Sequence, residues 1–364
     1  MRKLATIRRI EALIPIPNAD KIETAVIDGW RVVVQKGQFL SGQLCIYCEI
    51  DSILPEKPEF EFLRNKKFRI RTIKLKGQIS QGICFPLSIL PNKKSVSLGD
   101  DVTEILKIRK YEKGEEKPLS EQIFKSRTAR FLHKYKWFRK LRKIFIVPDR
   151  EKFPEFITKT DEERIQNLPH IFNDYKNRIF QVTEKLDGQS ATYFIVKNPR
   201  KWQFWKPYVF GVCSRNFLIN HKNNTYWKIE KKYRIKETLK NIVEKDNIES
   251  LIIQGEIVGP SVQDNRYELD SLDFYVYNVF LNSTCLNPKF CRGILKGLKI
   301  VPQLIERQLT TLEDLIYITQ ISKSKLNNQT TMEGIVCRKY YMQPDGKPIS
   351  FKVLNPNFLL EYDE

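Results

Sequence analysis

The sequence is poor in histidine and has no long apolar run. Only His133, His170 and His221 are present, and no nucleophile elbow accompanies them, so a histidine-dependent triad is not expected. No apolar stretch approaches the roughly 18–20 residues needed to span a bilayer. Met1 to Ile10 alternates charge with short apolar groups, so a secretory signal with its h-region is not expected. Glycine and proline, 15 and 18 residues, are scattered rather than clustered, which argues against a fibrous or disordered chain. No repeat at a fixed period is evident. The seven cysteines are an odd set in apolar, strand-like contexts such as those of Cys84 and Cys337, the usage of a reducing compartment rather than of a disulfide framework. Cys45-Ile-Tyr-Cys48 has CxxC spacing, but it lacks a second pair and a histidine placed to complete a zinc site. Two strand residues are the better reading.

What is present is length and positive charge. A chain of 364 residues suggests two or three domains, and 41% hydrophobic with 29% charged residues gives them real cores. Lys and Arg total 63 against 43 Asp and Glu, a net charge of +20. An excess of that size is the footprint of a polyanion, either nucleic acid or an anionic membrane surface. The cytoplasm or nucleus is the default compartment, with an organelle left open.

Residues 1 to about 110 read as short strands: Leu4–Leu13, Glu23–Val34, Gln43–Ile50 and Phe68–Leu75, separated by turn signals such as Asp28-Gly29 and Lys76-Gly77. Gly29 suits a hairpin because glycine accepts positive φ. Strands at this spacing suggest a small closed barrel, and with a basic face an OB-like barrel leads. Arg64 to Lys76 holds seven cations interleaved with Phe68, Ile70, Ile73 and Leu75, a pattern that puts apolar groups inward and cations on an outer, phosphate-tracking face. The apolar parity slips between Thr72 and Ile73, the mark of a bulge.

Residues 111–150 form a basic connector, partly helical. Lys125–Lys143 carries nine Lys or Arg and no acid, with Phe131, Tyr135 and Phe138 on one helical stripe. Membrane contact is the alternative, but nucleic acid fits the rest of the chain better. Thr160-Asp-Glu-Glu163 then reads as a capping box that starts a short helix through Arg164-Ile-Gln-Asn167. Residues 151–364 mix helices and strands as one α+β domain.

Within that domain Thr183-Glu-Lys185-Leu-Asp187-Gly188 follows the apolar Ile179–Val182. Alone, a KxDG is an ordinary turn. Its company is ordered: Ser214-Arg215-Asn216, Ile252-Ile-Gln-Gly-Glu256-Ile, Asp273-Phe274-Tyr-Val-Tyr277-Asn, Met332-Glu333-Gly334-Ile-Val-Cys-Arg338 and Ser350-Phe-Lys352-Val-Leu-Asn355. Each puts a polar or aromatic residue in or beside an apolar strand, the way strands deliver charge to one pocket. A buried Glu256 without a partner would be costly. Tyr277 reads as a core residue.

This order resembles the covalent nucleotidyltransferase superfamily of ATP-dependent ligases and capping enzymes, motifs I, Ia, III, IIIa, IV and V in turn over about 200 residues. Phe68–Gly82 and Glu163–Asn167 resemble one clade in it, the RNA ligases with an OB domain ahead of the transferase domain. Relatives that seal DNA or cap RNA carry their OB domain after motif V; twelve residues follow Lys352 here, so the N-terminal barrel is expected to take that role. The implied fold is α+β, an OB-like barrel followed by a nucleotidyltransferase domain.

The resemblance implies an RNA ligase that uses ATP with Mg²⁺ or Mn²⁺ to seal 3′-OH/5′-phosphate nicks in RNA or RNA/DNA duplexes, acting as a monomer with no membrane partner. Lys185 would take AMP on Nζ, its pKa lowered by nearby cations or a metal. Asp187 and Glu333 would hold the metal, through water; Glu256 would lie near the ribose and metal waters. Glu184 would contact adenine and Phe274 stack on it, with Gly188 in the nucleotide-binding set. Arg215 would reach the ribose or the accepting phosphate, Lys352 the α-phosphate and Arg164 the leaving pyrophosphate. Two positions depart from the family pattern: Leu354 replaces the second lysine of motif V, for which Lys347 is one substitute, and Ser190 stands where relatives have Arg or Asn. They motivate the alternative, a nucleic-acid-binding protein whose transferase domain only binds nucleotide.

Overall fold

The computed structural model describes residues 3–91, 96–111, 149–159, 161–199, 207–291, 293, 295, 297–340 and 348–362. The basic connector Lys125–Lys143, Thr160 and Lys347 lie outside these residues. Ten short strands are described in the N-terminal part: β1 (Ala5–Arg9), β2 (Ala12–Pro15), β3 (Ile22–Ile27), β4 (Trp30–Gln35), β5 (Leu44–Cys48), β6 (Ser52–Ile53), β7 (Thr72–Leu75), β8 (Gln78–Gln81), β9 (Ile83–Phe85) and β10 (Arg109–Lys110). They pair as small sheets, β1-β5-β9, β2-β3-β4, β7-β8 and β10-β6. Ile46 and Cys48 of β5 face a cluster with Ile7, Phe60 and Phe68, while Cys45 and Tyr47 face another with Ile27, Trp30 and Phe39. A strand buried on both sides has no need to alternate, which is why Leu-Cys-Ile-Tyr-Cys reads as an unbroken apolar run. All seven cysteines are buried and free.

The basic segment Arg64–Lys76 departs from the strand expected of it. Pro58–Lys66 is a 3₁₀ helix, Lys67 and Phe68 take left-handed φ of 52° and 58°, and only Thr72–Leu75 pairs as a strand. Phe68, Ile70 and Thr72 point inward. Arg69 leaves the outer face entirely: it is buried, bonded to Asp51 at 2.9 Å and stacked over Tyr111 at 3.7 Å. The β3–β4 hairpin forms as expected, with Ile27 opposite Trp30. Its left-handed residue is Asp28, at φ 49°. Gly29 is needed for a different reason, since a Cβ there would lie 2.5 Å from Leu312 Cδ2 and 3.1 Å from Gln166 Cα.

Two sheets build the C-terminal part. Its strands are β11 (Arg150–Lys152), β12 (Glu163–Arg164), β13 (Ile179–Lys185), β14 (Gln189–Lys197), β15 (Tyr208–Cys213), β16 (Phe217–Ile219), β17 (Ser250–Val258), β18 (Asp273–Leu281), β19 (Thr284–Leu286), β20 (Lys299–Ile300), β21 (Gln303–Gln308), β22 (Gly334–Lys339) and β23 (Ile349–Leu354). The larger sheet runs β11-β16-β15-β14-β17-β18-β19 with β20 beside β18, and the smaller β12-β23-β22-β13-β21. Helices Thr225–Tyr233 and Ile235–Lys245 cover the larger sheet. Ile235, Leu239 and Val243 recur every fourth residue, one stripe of a helix, and pack with Ile229, Ile253 and Val276. Leu315 of helix Leu312–Ile321 packs on Phe180, Val182, Ile335 and Phe351 of the smaller sheet.

The segment read as a capped helix is instead the short strand β12, parallel to β23, followed by a 3₁₀ turn Ile165–Asn167. That turn joins the two parts of the chain. Trp30 Nε1 donates to Asn167 Oδ1 at 2.9 Å, and Asn167 Nδ2 donates to Glu49 at 2.7 Å and Glu163 at 2.8 Å. Among the described residues no helix is long and apolar enough to cross a membrane.

Candidate active site

A cavity of about 140 Å³ opens between the two sheets. β13 ends on Glu184 and Lys185, and the turn Leu186-Asp187-Gly188 carries the chain from the smaller sheet into β14 of the larger. Only glycine fits at 188, because a Cβ would come within 2.4 Å of the Ile257 carbonyl oxygen and 2.8 Å of Glu256 Cγ. β17 sets Glu256 opposite Ser190. Glu333 immediately precedes Gly334, the β22 residue paired with Lys185, and β23 supplies Lys352. Chain positions more than 160 residues apart thus converge on one hollow.

Lys185 Nζ donates to Glu333 Oε1 at 2.5 Å. Burial pushes the ammonium pKa down, but Glu333, Glu256 and Asp187 overcome it, and the net direction is upward. The protein's own charges therefore hold this lysine protonated, the reverse of the lowered value expected from the sequence. Burial drives Glu256 up to about 8, with Glu333 and Asp187 adding to the rise while Lys185 and Arg215 oppose it. Glu333 is also raised, chiefly by burial, and its Oε2 is buried with no hydrogen-bond partner. Among the described residues no three His, Cys, Asp or Glu side chains stand close enough to ligate one ion directly. Three carboxylates around a lysine suit a hard cation that keeps its waters.

Glu184 is buried at another wall. Its Oε2 accepts from the Lys325 amide at 2.8 Å, its Oε1 is buried without a hydrogen-bond partner, and burial raises its pKa. Val301, Leu186 and Tyr277 line the cavity as well. Phe274 does not. It pairs with Ile257, is fully buried beneath the larger sheet and meets the Tyr193 ring edge-on at 5.2 Å. Successive strand residues face opposite sides, so Tyr275, opposite Glu256, shares the cavity side. Tyr277, two residues further along β18, lies on that side by the same alternation, with its hydroxyl 2.9 Å from Ser190 Oγ. The aromatic wall belongs to Tyr277, read from the sequence as core.

Lys352 Nζ lies 3.1 Å from Asp161 Oδ1, and Arg215 Nη2 lies 3.2 Å from Asp161 Oδ2. Arg164 is elsewhere, buried at the junction of the two parts, 3.4 Å from Asp51 and 5.7 Å over the Trp30 ring. Asp187 is reached by two residues that no motif flagged. Arg266 Nη1 is 2.7 Å from its Oδ2, and the Asp187 amide donates to Tyr267 Oη at 2.7 Å. The Arg266 guanidinium stacks on Tyr362 at 4.1 Å and Phe358 at 5.1 Å. Arg338, ion-paired with Glu162, puts a further guanidinium in the cavity wall. Leu354 is buried.

A family model described as an OB-fold domain matches residues 4–87, and one described as RNA ligase matches residues 178–354. Among solved structures, a Naegleria gruberi RNA ligase with pyrophosphate is 32% identical, with 100% of this chain and 99% of that one covered and a TM-score of 0.79. A lysine-to-alanine mutant of that ligase with ATP and manganese is 32% identical, covering 98% of each chain at a TM-score of 0.77. A glutamate-to-alanine mutant with AMP and manganese matches with the same identity, coverage and TM-score. No curated protein matches the sequence.

Proposed function

The chain belongs to the RNA ligase family, and from that premise we propose that it seals 3′-OH/5′-phosphate nicks with ATP and Mg²⁺ or Mn²⁺ through an AMP carried on Lys185, preferring RNA on the 3′-OH side. Residues 151–364 would hold the nucleotidyltransferase domain and residues 1–110 the nucleic-acid-binding domain. The observation that carries the reading is Lys185 Nζ on Glu333 at 2.5 Å, in a cavity that Lys352 and Arg215 also line. A lysine that could serve as nucleophile and two cations suited to phosphate share one hollow.

In the first step Lys185 loses its proton and Nζ attacks the α-phosphorus of ATP. The N–P bond forms and the bond to pyrophosphate breaks. An oxygen of the RNA 5′-phosphate then attacks the lysyl adenylate, the N–P bond breaks and Lys185 recovers its amine. Finally the 3′-OH attacks the adenylylated 5′-phosphorus, gives up its proton and expels AMP. Such transfers depend on positioning and charge neutralisation, consistent with a cavity rich in cations and carboxylates and without histidine. Lys352 and Arg215 are cations for phosphate oxygens. Glu184 Oε1, buried without a partner, suits the adenine amino group, and Tyr277 gives the base a flat wall. Glu333 Oε2, equally without a partner, together with Asp187 and Glu256 fits a hydrated divalent cation, which when bound supplies the positive charge that offsets these carboxylates. The lysine proton can then leave.

The test is a nick-sealing assay with ATP and Mg²⁺ or Mn²⁺ on duplexes whose 3′-OH strand ends in RNA or in DNA. Sealing faster by tenfold or so with an RNA end is expected. Equal rates would make the enzyme indifferent to that sugar, and absence of sealing with either metal would favour the nucleotide-binding-only alternative.

A further inference from the structure

Between β11, paired with β16, and β12, paired with β23, the chain crosses from the larger sheet to the smaller. On the way it presents two adjacent acids to the cavity. Glu162 pairs with Arg338. Asp161 meets three cations from three separate parts of the fold: Lys352 of β23 at 3.1 Å, Arg215 after β15 at 3.2 Å and Lys110 of β10 at 3.4 Å. Burial works against its charge, but Lys352, Arg215 and Lys110 hold its pKa well below the usual carboxylate range. Asp161 is thus an anion at any working pH. The two cations nearest it are the ones the proposed reaction needs for phosphate. A carboxylate stands where a phosphate would.

We propose that Asp161 is a resident counter-anion of the phosphate subsite, holding Lys352 and Arg215 in the nucleotide-free enzyme and yielding them to the incoming α-phosphate. This rests on the ligase reading of the cavity. Every phosphate that enters must displace Asp161 or tolerate its charge, so the residue weakens nucleotide binding. The same weakening applies to products, and a site of several uncompensated cations would release them slowly. Asp161 is a positioning residue, not a catalytic one, because it touches the cations rather than the reacting atoms.

The experiment measures binding of α,β-methylene-ATP, which cannot transfer AMP, and of adenosine, which has no phosphate, to wild type, Asp161→Asn, Asp161→Ala and Asp161→Glu. Asp161 is at the cavity mouth with its side chain 41% exposed, so all four are expected to fold, and melting curves check this. One unit charge roughly 6 Å from a phosphate in a partly screened site is worth about a tenfold change in affinity. Both neutral variants should therefore bind α,β-methylene-ATP about tenfold more tightly, with adenosine unchanged and Asp161→Glu close to wild type. In turnover the KM for ATP should fall with them. Unchanged or weaker α,β-methylene-ATP binding in the neutral variants, in an enzyme that still forms lysyl adenylate, overturns this inference alone. A wild type that binds neither nucleotide nor AMP covalently removes the ligase reading and this inference together.

Discussion

Glu256→Gln should lessen the dependence of stability on pH in the metal-free protein. Burial and the neighbouring Glu333 and Asp187 raise the Glu256 carboxyl from 4.5 to about 8. The folded state thus keeps a proton that the unfolded chain has already released between those values. When the folded state binds more protons, stability falls as pH rises. The contribution is whole below about pH 4.5 and gone once pH passes about 8. At 1.36 kcal/mol per unit the full shift is worth about 5 kcal/mol, and solvent in the open cavity reduces it to roughly 2–3 kcal/mol. For a body of about 200 residues that is on the order of 5–10 °C in melting temperature. Melting curves in chelator from pH 5 to 8.5 should show the wild type losing that margin over and above the smaller loss in Glu256→Gln, where the raised Glu333 and Glu184 carboxyls remain. Added Mn²⁺ should restore wild-type stability at pH 8.5, because a cation favours the ionised carboxylates. Parallel curves for the two proteins would refute the assignment of a raised pKa to Glu256.

Phe274→Ala and Tyr277→Ala should part company. The first empties a core site and should cost about 3–5 kcal/mol in denaturant unfolding. The second should leave stability nearly unchanged and raise the KM for ATP several-fold, and equal nucleotide defects would contradict the register of β18 on β17. Gly188→Ala should abolish adenylylation while the protein still melts cooperatively, since its Cβ would press on the Ile257 carbonyl and on Glu256; retention of normal labelling would show that the turn has room to move. Gly29→Ala should destabilise by about 1–3 kcal/mol through overpacking against Leu312 and Gln166, read as a lowered denaturation midpoint. A neutral result would mean that the hairpin and the 3₁₀ turn are not held together.

Much of the site was legible because its parts are short, local signals in a fixed order. Lys185, Glu256, Glu333 and Lys352 each sit in or next to an apolar strand, and the sheets do bring them together. Residues whose role depends on a distant partner were not legible. Nothing near Asp161 announces three cations contributed by Lys110, Arg215 and Lys352, and Arg266 is linked to Asp187 only by the path of the loop after β17. Aromatic identity carries no facing, so the sequence does not separate Phe274 from Tyr277. The pairing of β18 with β17, which sets Tyr275 opposite Glu256, decides which ring meets the cavity. Arg69 shows the same limit in the barrel: a cation in a basic run reads as surface until Asp51 and Tyr111 are seen beside it. The order of domains was clearer, since an alternating, turn-rich segment precedes the motif-bearing one.

The most direct measurement is incubation of metal-stripped wild type and Lys185→Ala with α-³²P-ATP and Mg²⁺ or Mn²⁺, followed by denaturing gel analysis and then by addition of a 5′-phosphorylated nick. Label should appear on the wild type alone and move to the nucleic acid when the nick is added. A wild type that stays unlabelled with both metals, or a Lys185→Ala protein that labels equally well, would contradict the account.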